Sequence, residues 1–186
     1  MPLTPNEAAD ALRDIEQTGR RSGEAFGYRI SAPYLVIWGV VWIVGYSGTD
    51  LAPRYSGILW SSLIILATAI NLFVGYRVSY HAGMGRKGNG WRYGALVAVF
   101  WLFLIATYTV FGEAGPRQQG AFVPLAIAAI YAGTGLWTGL RFVVLGGTVA
   151  ALTLLGFFYV HEHFYLWMAV VGGGGLVLAG LWMRTA

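Results

Sequence analysis

The chain has 186 residues, of which 57% are hydrophobic, 16% aromatic and only 11% charged, and its formal net charge is +4. A water-soluble domain carries about 25% charged residues, so this composition excludes an ordinary soluble protein and indicates a chain embedded mostly in lipid. There is no cysteine, which excludes disulfide bonds, thiolate metal sites and a cysteine nucleophile.

The first thirty residues are polar and predict a cytoplasmic helix ahead of the membrane segments. Thr4-Pro5-Asn6-Glu7 has the spacing of a capping box with proline at the first helical position, so a helix is expected from about Pro5 into the twenties. Two interpretations stay open. Residues 5–27 dock a cytoplasmic protein partner or a second copy of the chain, or this amphipathic helix lies on the bundle or on the membrane surface. Its weakly apolar stripe comprises Ala8, Leu12, Ile15, Gly19, Ser22 and Phe26.

Six apolar runs follow, each close to the length of about 20 residues that a helix needs to cross the hydrocarbon core of a bilayer. Backbone polar groups have no water to bind in lipid, so such runs must be helical. The predicted fold is all-α: an N-terminal cytoplasmic helix, residues 1–30, and a bundle of six transmembrane helices, residues 31–186. The runs cover residues 33–50, 57–76, 92–112, 120–140, 142–160 and 164–183.

The basic residues predict the orientation of these spans. If the N-terminus is cytoplasmic, ten of the twelve Lys and Arg residues fall on the cytoplasmic side, and only Arg54 and Arg117 fall on the other. This bias is typical of a bacterial inner (plasma) membrane protein with both termini in the cytoplasm. The basic residues follow the membrane boundary instead of forming one patch, which disfavours nucleic acid as a partner. Arg141 alone separates the fourth and fifth runs, so either a very tight turn lies there or one span is shorter.

The glycine-rich stretch HAGMGRKGNG, residues 81–90, has the G-x-G-x-x-G spacing of a dinucleotide-binding loop. That fingerprint requires a preceding strand within a βαβ unit, whereas here a transmembrane helix is expected on each side. The stretch is therefore interpreted as a cytoplasmic loop whose basic residues meet anionic lipid headgroups.

The middles of the predicted spans contain no Asp, Glu, Lys, Arg or His. Ion pumps and proton-coupled carriers rely on such residues, and membrane-embedded enzymes need groups that titrate or hold a metal. We therefore expect neither an enzyme nor a resident cofactor. The neutral polar residue Asn71, with Trp38 and Trp42 one helical turn apart, is a candidate to line a pore or a substrate site; the alternative for Asn71 is a hydrogen bond to a neighbouring helix.

Four consecutive glycines, Gly172, Gly173, Gly174 and Gly175, lie near the centre of the last run. Small residues allow helices to approach closely, which is one interpretation. Glycine runs at mid-membrane also mark unwound binding segments in transporters, which makes the same four residues candidates for a substrate site.

A metal site is predicted only between the fifth and sixth runs. His161, Glu162 and His163 offer two imidazoles and a carboxylate, and they can converge on a metal if the turn is not helical. A haem held by two histidines is disfavoured, because His81 is predicted on the opposite side of the membrane from His161 and His163.

Three functions agree with these features. The first is a small permease or channel for a neutral or aromatic-compatible solute. This permease or channel acts either as a single chain or as a homo-oligomer. The second is a regulatory or anchoring membrane protein whose N-terminal helix engages a cytoplasmic partner. The third is a membrane protein that binds metal at the face opposite the cytoplasm.

Overall fold

The computed structural model describes residues 5–81, 90–112 and 115–185. Thr4 of the capping box and the interior of the glycine-rich stretch lie outside these residues. All regular structure in the described part is helical, which confirms the predicted all-α class. The α-helices are α1 (Pro5–Leu51), α2 (Ser56–His81), α3 (Gly90–Phe111), α4 (Pro116–Thr138), α5 (Leu140–Tyr159), α6 (Phe164–Trp167) and α7 (Gly174–Met183). A short 3₁₀ turn (Pro53–Tyr55) links α1 to α2, and a π-helical segment (Met168–Gly173) joins α6 to α7.

Within the described residues, five helical segments are long and apolar enough to cross a membrane. They are Leu12–Leu51, Pro53–Arg77, Pro116–Thr138, Leu140–Tyr159 and Phe164–Met183, the last of which we name the last span. The described apolar part of α3 is shorter, Ala98–Val110. The core forms where α1 packs on the last span and where α4 packs on α5.

Helix α1 is a single element of 47 residues. At 1.5 Å per residue it is about 70 Å long, more than twice the thickness of a hydrocarbon core. It continues through Pro33, whose ring removes one helical hydrogen bond without ending the helix. The sequence-based division between residues 30 and 31 therefore falls within one continuous helix, with no loop between the N-terminal segment and the first span.

The last span remains helical through the glycine run, but its hydrogen bonding changes. The Gly174 N–H reaches the carbonyl of Ala169, five residues earlier, which is the π-helical pattern. Phe164 and Gly180 are both buried, although sixteen residues of regular α-helix would place them roughly 160° apart. The wider π-helical turn changes the rotation between the two ends of the last span, and α6 and α7 both pack against α1.

The turn between α4 and α5 is as tight as Arg141 suggested. Gly139 is the one residue between the two helices, and its φ of 125° lies in a region that side-chain-bearing residues rarely adopt. Its N–H donates to the Gly135 carbonyl at 2.9 Å, and its own carbonyl accepts from the Phe142 N–H at 3.1 Å. The fourth and fifth runs are thus two full-length helices folded into a hairpin.

Helices α2 and α3 lie at the periphery. Trp60 near the start of α2 packs against Gly45 of α1, and Gly75 near its end lies beside the Tyr34 hydroxyl. Most of the large apolar side chains of α2 are exposed.

Helix α3 contacts α4 through Phe103 and Tyr108, whose rings lie 6.2 and 5.8 Å from the ring of Phe122. The exposed apolar faces agree with a lipid environment, since water would disfavour them.

Candidate functional site

The glycine run faces two different environments. A Cβ atom placed on Gly173 would lie 2.8 Å from the carbonyl oxygen of Gly39 in α1, and a Cβ on Gly39 would lie 2.8 Å from the carbonyl oxygen of Gly173. The two backbones therefore meet directly. A Cβ on Gly174 or Gly175 would meet nothing within 4 Å. Close helix packing accounts for the first half of the run, and the second half borders open space.

Trp42 belongs to the packed core. Its side chain is only 3% exposed, its ring lies edge-on to Tyr46 at 5.8 Å, and Gly172 leaves room for it. Trp38, one turn earlier, is half-buried against the same core. The sequence proposed both tryptophans as lining residues; the structure shows them packed between helices, and their contact with a solute stays a prediction.

Asn71 is half-buried on α2. Its Oδ1 atom is buried and accepts no hydrogen bond within the described part of the chain. A buried amide oxygen without a donor costs about 1–3 kcal/mol. Its role in a pore or substrate site stays a prediction.

His161, Glu162 and His163 form the exposed turn between α5 and α6. The turn is not helical. A non-helical turn is the condition under which the two histidines could converge on one metal ion. Among residues 5–81, 90–112 and 115–185, no group of three or more His, Asp or Glu side chains is arranged to hold a metal ion. Metal binding by this turn stays a prediction.

An aromatic cluster lies at the end of the bundle where α1 stops, which we name the Arg117 end. The Tyr46 hydroxyl donates to the Gly120 carbonyl at 2.8 Å, and its ring lies 5.1 Å from Trp60 and 6.2 Å from Tyr165. The Trp60 indole N–H donates to Thr49 Oγ1 at 2.9 Å. Tyr46 thereby connects α1, α2, α4 and α6 at one level.

Arg117 completes this cluster. Its guanidinium donates to the Phe157 carbonyl oxygen and lies 5.0 Å from the ring centroid of Phe157 and 6.0 Å from that of Phe164. Its Nε atom is buried and has no acceptor within the described residues. Two aromatic rings and a carbonyl thus hold the guanidinium of this half-buried residue. Sequence reasoning used Arg117 only as a topology marker, because nothing in its sequence neighbours shows that Phe157 and Phe164 meet it.

A second arginine occupies the opposite end, which we name the Arg141 end. Arg141 Nη1 donates to the Trp182 carbonyl at 2.8 Å, and the guanidinium lies 4.8 Å from the ring centroid of Trp182 and 5.3 Å from that of Tyr28. A cation at the C-terminus of α7 is favoured by the helix dipole. Arg141 therefore connects the α4–α5 hairpin to α1 and to the last span.

An open groove of about 510 Å³ runs along the last span beside the glycine run. Gly174, Gly175, Val170 and Leu178 belong to its floor, with Ile43 of α1 and Leu152 of α5 also in its lining. Every lining side chain is aliphatic or absent, so the groove offers no side-chain group that would orient a polar ligand.

No family model, curated protein or solved structure matches this chain. Three features stand out: the long helix α1, the two arginine–aromatic ends, and the apolar groove beside Gly174.

Proposed function

We propose that this protein is an inner-membrane anchor that presents the N-terminal part of α1 as a rigid cytoplasmic docking arm. In this proposal the chain crosses the membrane six times, α3 supplies the third crossing, and both termini are cytoplasmic. The protein acts by recruiting a partner and catalyses no reaction. The continuity of α1 from Pro5 to Leu51 is the observation that carries the proposal.

The length of α1 supports an arm that extends away from the bundle. Tyr28 packs against the hairpin turn at the Arg141 end, so the chain from Pro5 to Tyr28 extends about 35 Å beyond that contact at 1.5 Å per residue. A break at residue 30 would allow this segment to fold back, whereas a continuous helix fixes its direction relative to the span.

The distribution of arginine supports a cytoplasmic location for the arm. Arg29, Arg77, Arg141 and Arg184 lie towards the Arg141 end, which is also the end that bears the arm, whereas the opposite end has Arg54 and Arg117. Positive residues accumulate on the cytoplasmic side of membrane proteins.

The surface of the arm supports a helical partner. Leu12 is 61% exposed, Ile15 68% and Phe26 52%, although all three are apolar. With Gly19 and Ser22 they follow one another at spacings of three and four residues, which we name the arm seam. This is the spacing at which one helix packs along another in a coiled coil. A helix from a cytoplasmic protein would cover these side chains.

Photo-crosslinking in intact cells tests this proposal. A photoreactive residue at Leu12 should give a discrete adduct with a cytoplasmic protein, and the change Ile15→Glu should reduce that adduct at least about tenfold, which corresponds to about 1.4 kcal/mol. Gln17→Glu is the matched control, because Gln17 is exposed about 160° around the helix from Ile15 and should leave the adduct unchanged.

The mass of the adduct gives a second criterion. An adduct of twice the 20.2 kDa chain mass would identify a second copy as the occupant and would overturn recruitment as the function of the arm. Equal loss of the adduct in Ile15→Glu and Gln17→Glu would also contradict the proposal, since it would show that no particular face is recognised.

A permease is the second candidate, and the π-helical segment is the observation that favours it, because π-helical turns occur frequently at functional sites. Removal of residues 1–27 separates the two candidates. Solute flux into vesicles should survive this truncation, whereas partner recruitment should be lost.

A further inference from the structure

The groove beside Gly174 exists because two side chains are missing. A Cβ at Gly174 or Gly175 has no neighbour within 4 Å, so packing within the chain does not require glycine at either position. Glycine destabilises a helix by about 1 kcal/mol relative to alanine. The pair therefore lowers helix stability with no compensating contact among the residues that the structure describes, which points to a molecule outside the chain.

The groove lies on an exposed strip that leads to the Arg141 end. Val170, Gly174, Leu178 and Trp182 follow one another at intervals of four residues and so share roughly one helix face. Val170 is 71% and Leu178 68% exposed. They precede and follow Gly174 on this face, and the absence of a side chain at Gly174 leaves a gap between them, which we name the notch. From Gly174 to Trp182 the helix rises about 12 Å, close to the half-thickness of about 15 Å of a hydrocarbon core.

Two arginines lie where this strip reaches the membrane surface. Arg141 is held over the Trp182 ring, with one of its five N–H groups occupied by the Trp182 carbonyl, and Arg184 is exposed two residues later. Guanidinium groups bind phosphate oxygens well, and basic residues at the membrane surface attract anionic lipids. The distance between this positively charged site and the apolar groove is thus close to the length of one lipid acyl chain in a single leaflet.

The chemistry of the groove suits a hydrocarbon chain. The groove has a volume of about 510 Å³, and every side chain in its lining is aliphatic or absent. The stretch from Val170 to Leu178 that borders it rises about 12 Å. Carbon atoms in contact lie about 3.5–4.0 Å apart, which is the distance at which an acyl chain would contact these walls.

We propose that this groove binds one acyl chain of an anionic phospholipid whose phosphate group lies beside Arg141 and Arg184. The lipid belongs to the leaflet at the Arg141 end, and only its description as the inner leaflet rests on the proposed function. The end of the acyl chain reaches the notch at Gly174 and fills the space that the missing side chains leave open.

Native mass spectrometry of the full chain with added dioleoylphosphatidylglycerol tests this site. Gly174→Leu fills the notch, and the apparent dissociation constant of the tightest phosphatidylglycerol should rise at least about tenfold. Gly147→Leu is the matched control, because Gly147 is exposed on a membrane helix, has no neighbour within 4 Å, as at Gly174, and lies outside the groove lining; its lipid binding should match the wild type. Arg184→Gln should weaken phosphatidylglycerol binding more than phosphatidylcholine binding, because the choline cation of phosphatidylcholine offsets the charge of its phosphate.

Two results would overturn the site. One is the same lipid binding in Gly174→Leu as in Gly147→Leu. The other is a change in oligomeric state in Gly174→Leu without a change in bound lipid, which would show that a second copy fills the groove. Gly174→Ala provides a smaller change in the same direction if the leucine variant does not fold. Cysteine labelling of topology tests the proposed function separately and does not depend on these results.

Discussion

Gly173 and Gly174 are adjacent in the chain but differ in what surrounds them. Gly173 allows its backbone to contact the backbone of Gly39, and a methyl group at either position would overlap the opposite helix. Gly174 borders the open groove. In lipid, where apolar burial drives helix association only weakly, such close backbone contact is a main source of helix pairing. Composition cannot distinguish the two glycines, because the rotation of the last span about its own axis decides which of them faces α1 and which faces the groove.

Alanine substitutions at these two positions should have different effects. Gly173→Ala should lower the free energy of unfolding by about 1–3 kcal/mol, because the new methyl group forces α1 and the last span apart. Gly174→Ala should change it by at most about 1 kcal/mol, in the stabilising direction, through helix propensity. Unfolding in detergent, followed by far-ultraviolet circular dichroism, measures both. Equal destabilisation by the two substitutions would refute the assigned rotation of the last span.

At the scale of elements, the α4–α5 hairpin depends on one residue. Gly139 has a φ of 125° and lies beside the Tyr28 side chain, so an added Cβ would be strained and would overlap the Tyr28 hydroxyl. The turn thereby places Arg141 against α1 and the last span. A longer loop would let Arg141 move away from Trp182.

Gly139→Ala should destabilise the hairpin by about 1–3 kcal/mol, the usual cost of holding an ordinary residue in such a backbone conformation. Combining it with Tyr28→Phe removes the overlapping hydroxyl but leaves the backbone strain, so the double variant should recover part of the loss. Thermal unfolding of the wild type, both single variants and the double variant gives the coupling between the two sites. Additive effects would show that Tyr28 does not press on this turn.

At the scale of the whole molecule, α1 joins two environments in one helix. Its C-terminal half forms the core with the last span, and its N-terminal part carries exposed apolar and charged residues together. Because the helix is continuous, movement of the bundle and movement of the arm are mechanically coupled. This coupling makes α1 suitable for anchoring a partner at a fixed distance from the membrane.

The absence of cysteine from the chain allows the topology to be tested with single substitutions. His161→Cys should react with a membrane-impermeant maleimide in intact spheroplasts, because His161 is exposed at the Arg117 end. Gln17→Cys and Thr185→Cys should react only after the membrane is opened, because both lie at or beyond the Arg141 end. Labelling of Gln17→Cys in intact spheroplasts would reverse the proposed orientation.

Composition and run length alone determined that the chain is helical and embedded in lipid, because the solvent preference of a segment and its need for internal hydrogen bonds are properties of its own residues. The expected tight turn at Arg141 followed from the same reasoning. Only the tertiary structure decided that Trp42 packs in the core, that the glycine run divides between a helix contact and a groove, and that each arginine–aromatic end joins several helices. These features depend on helix rotation and crossing, which are set by contacts between residues far apart in the chain, and no local pattern records them.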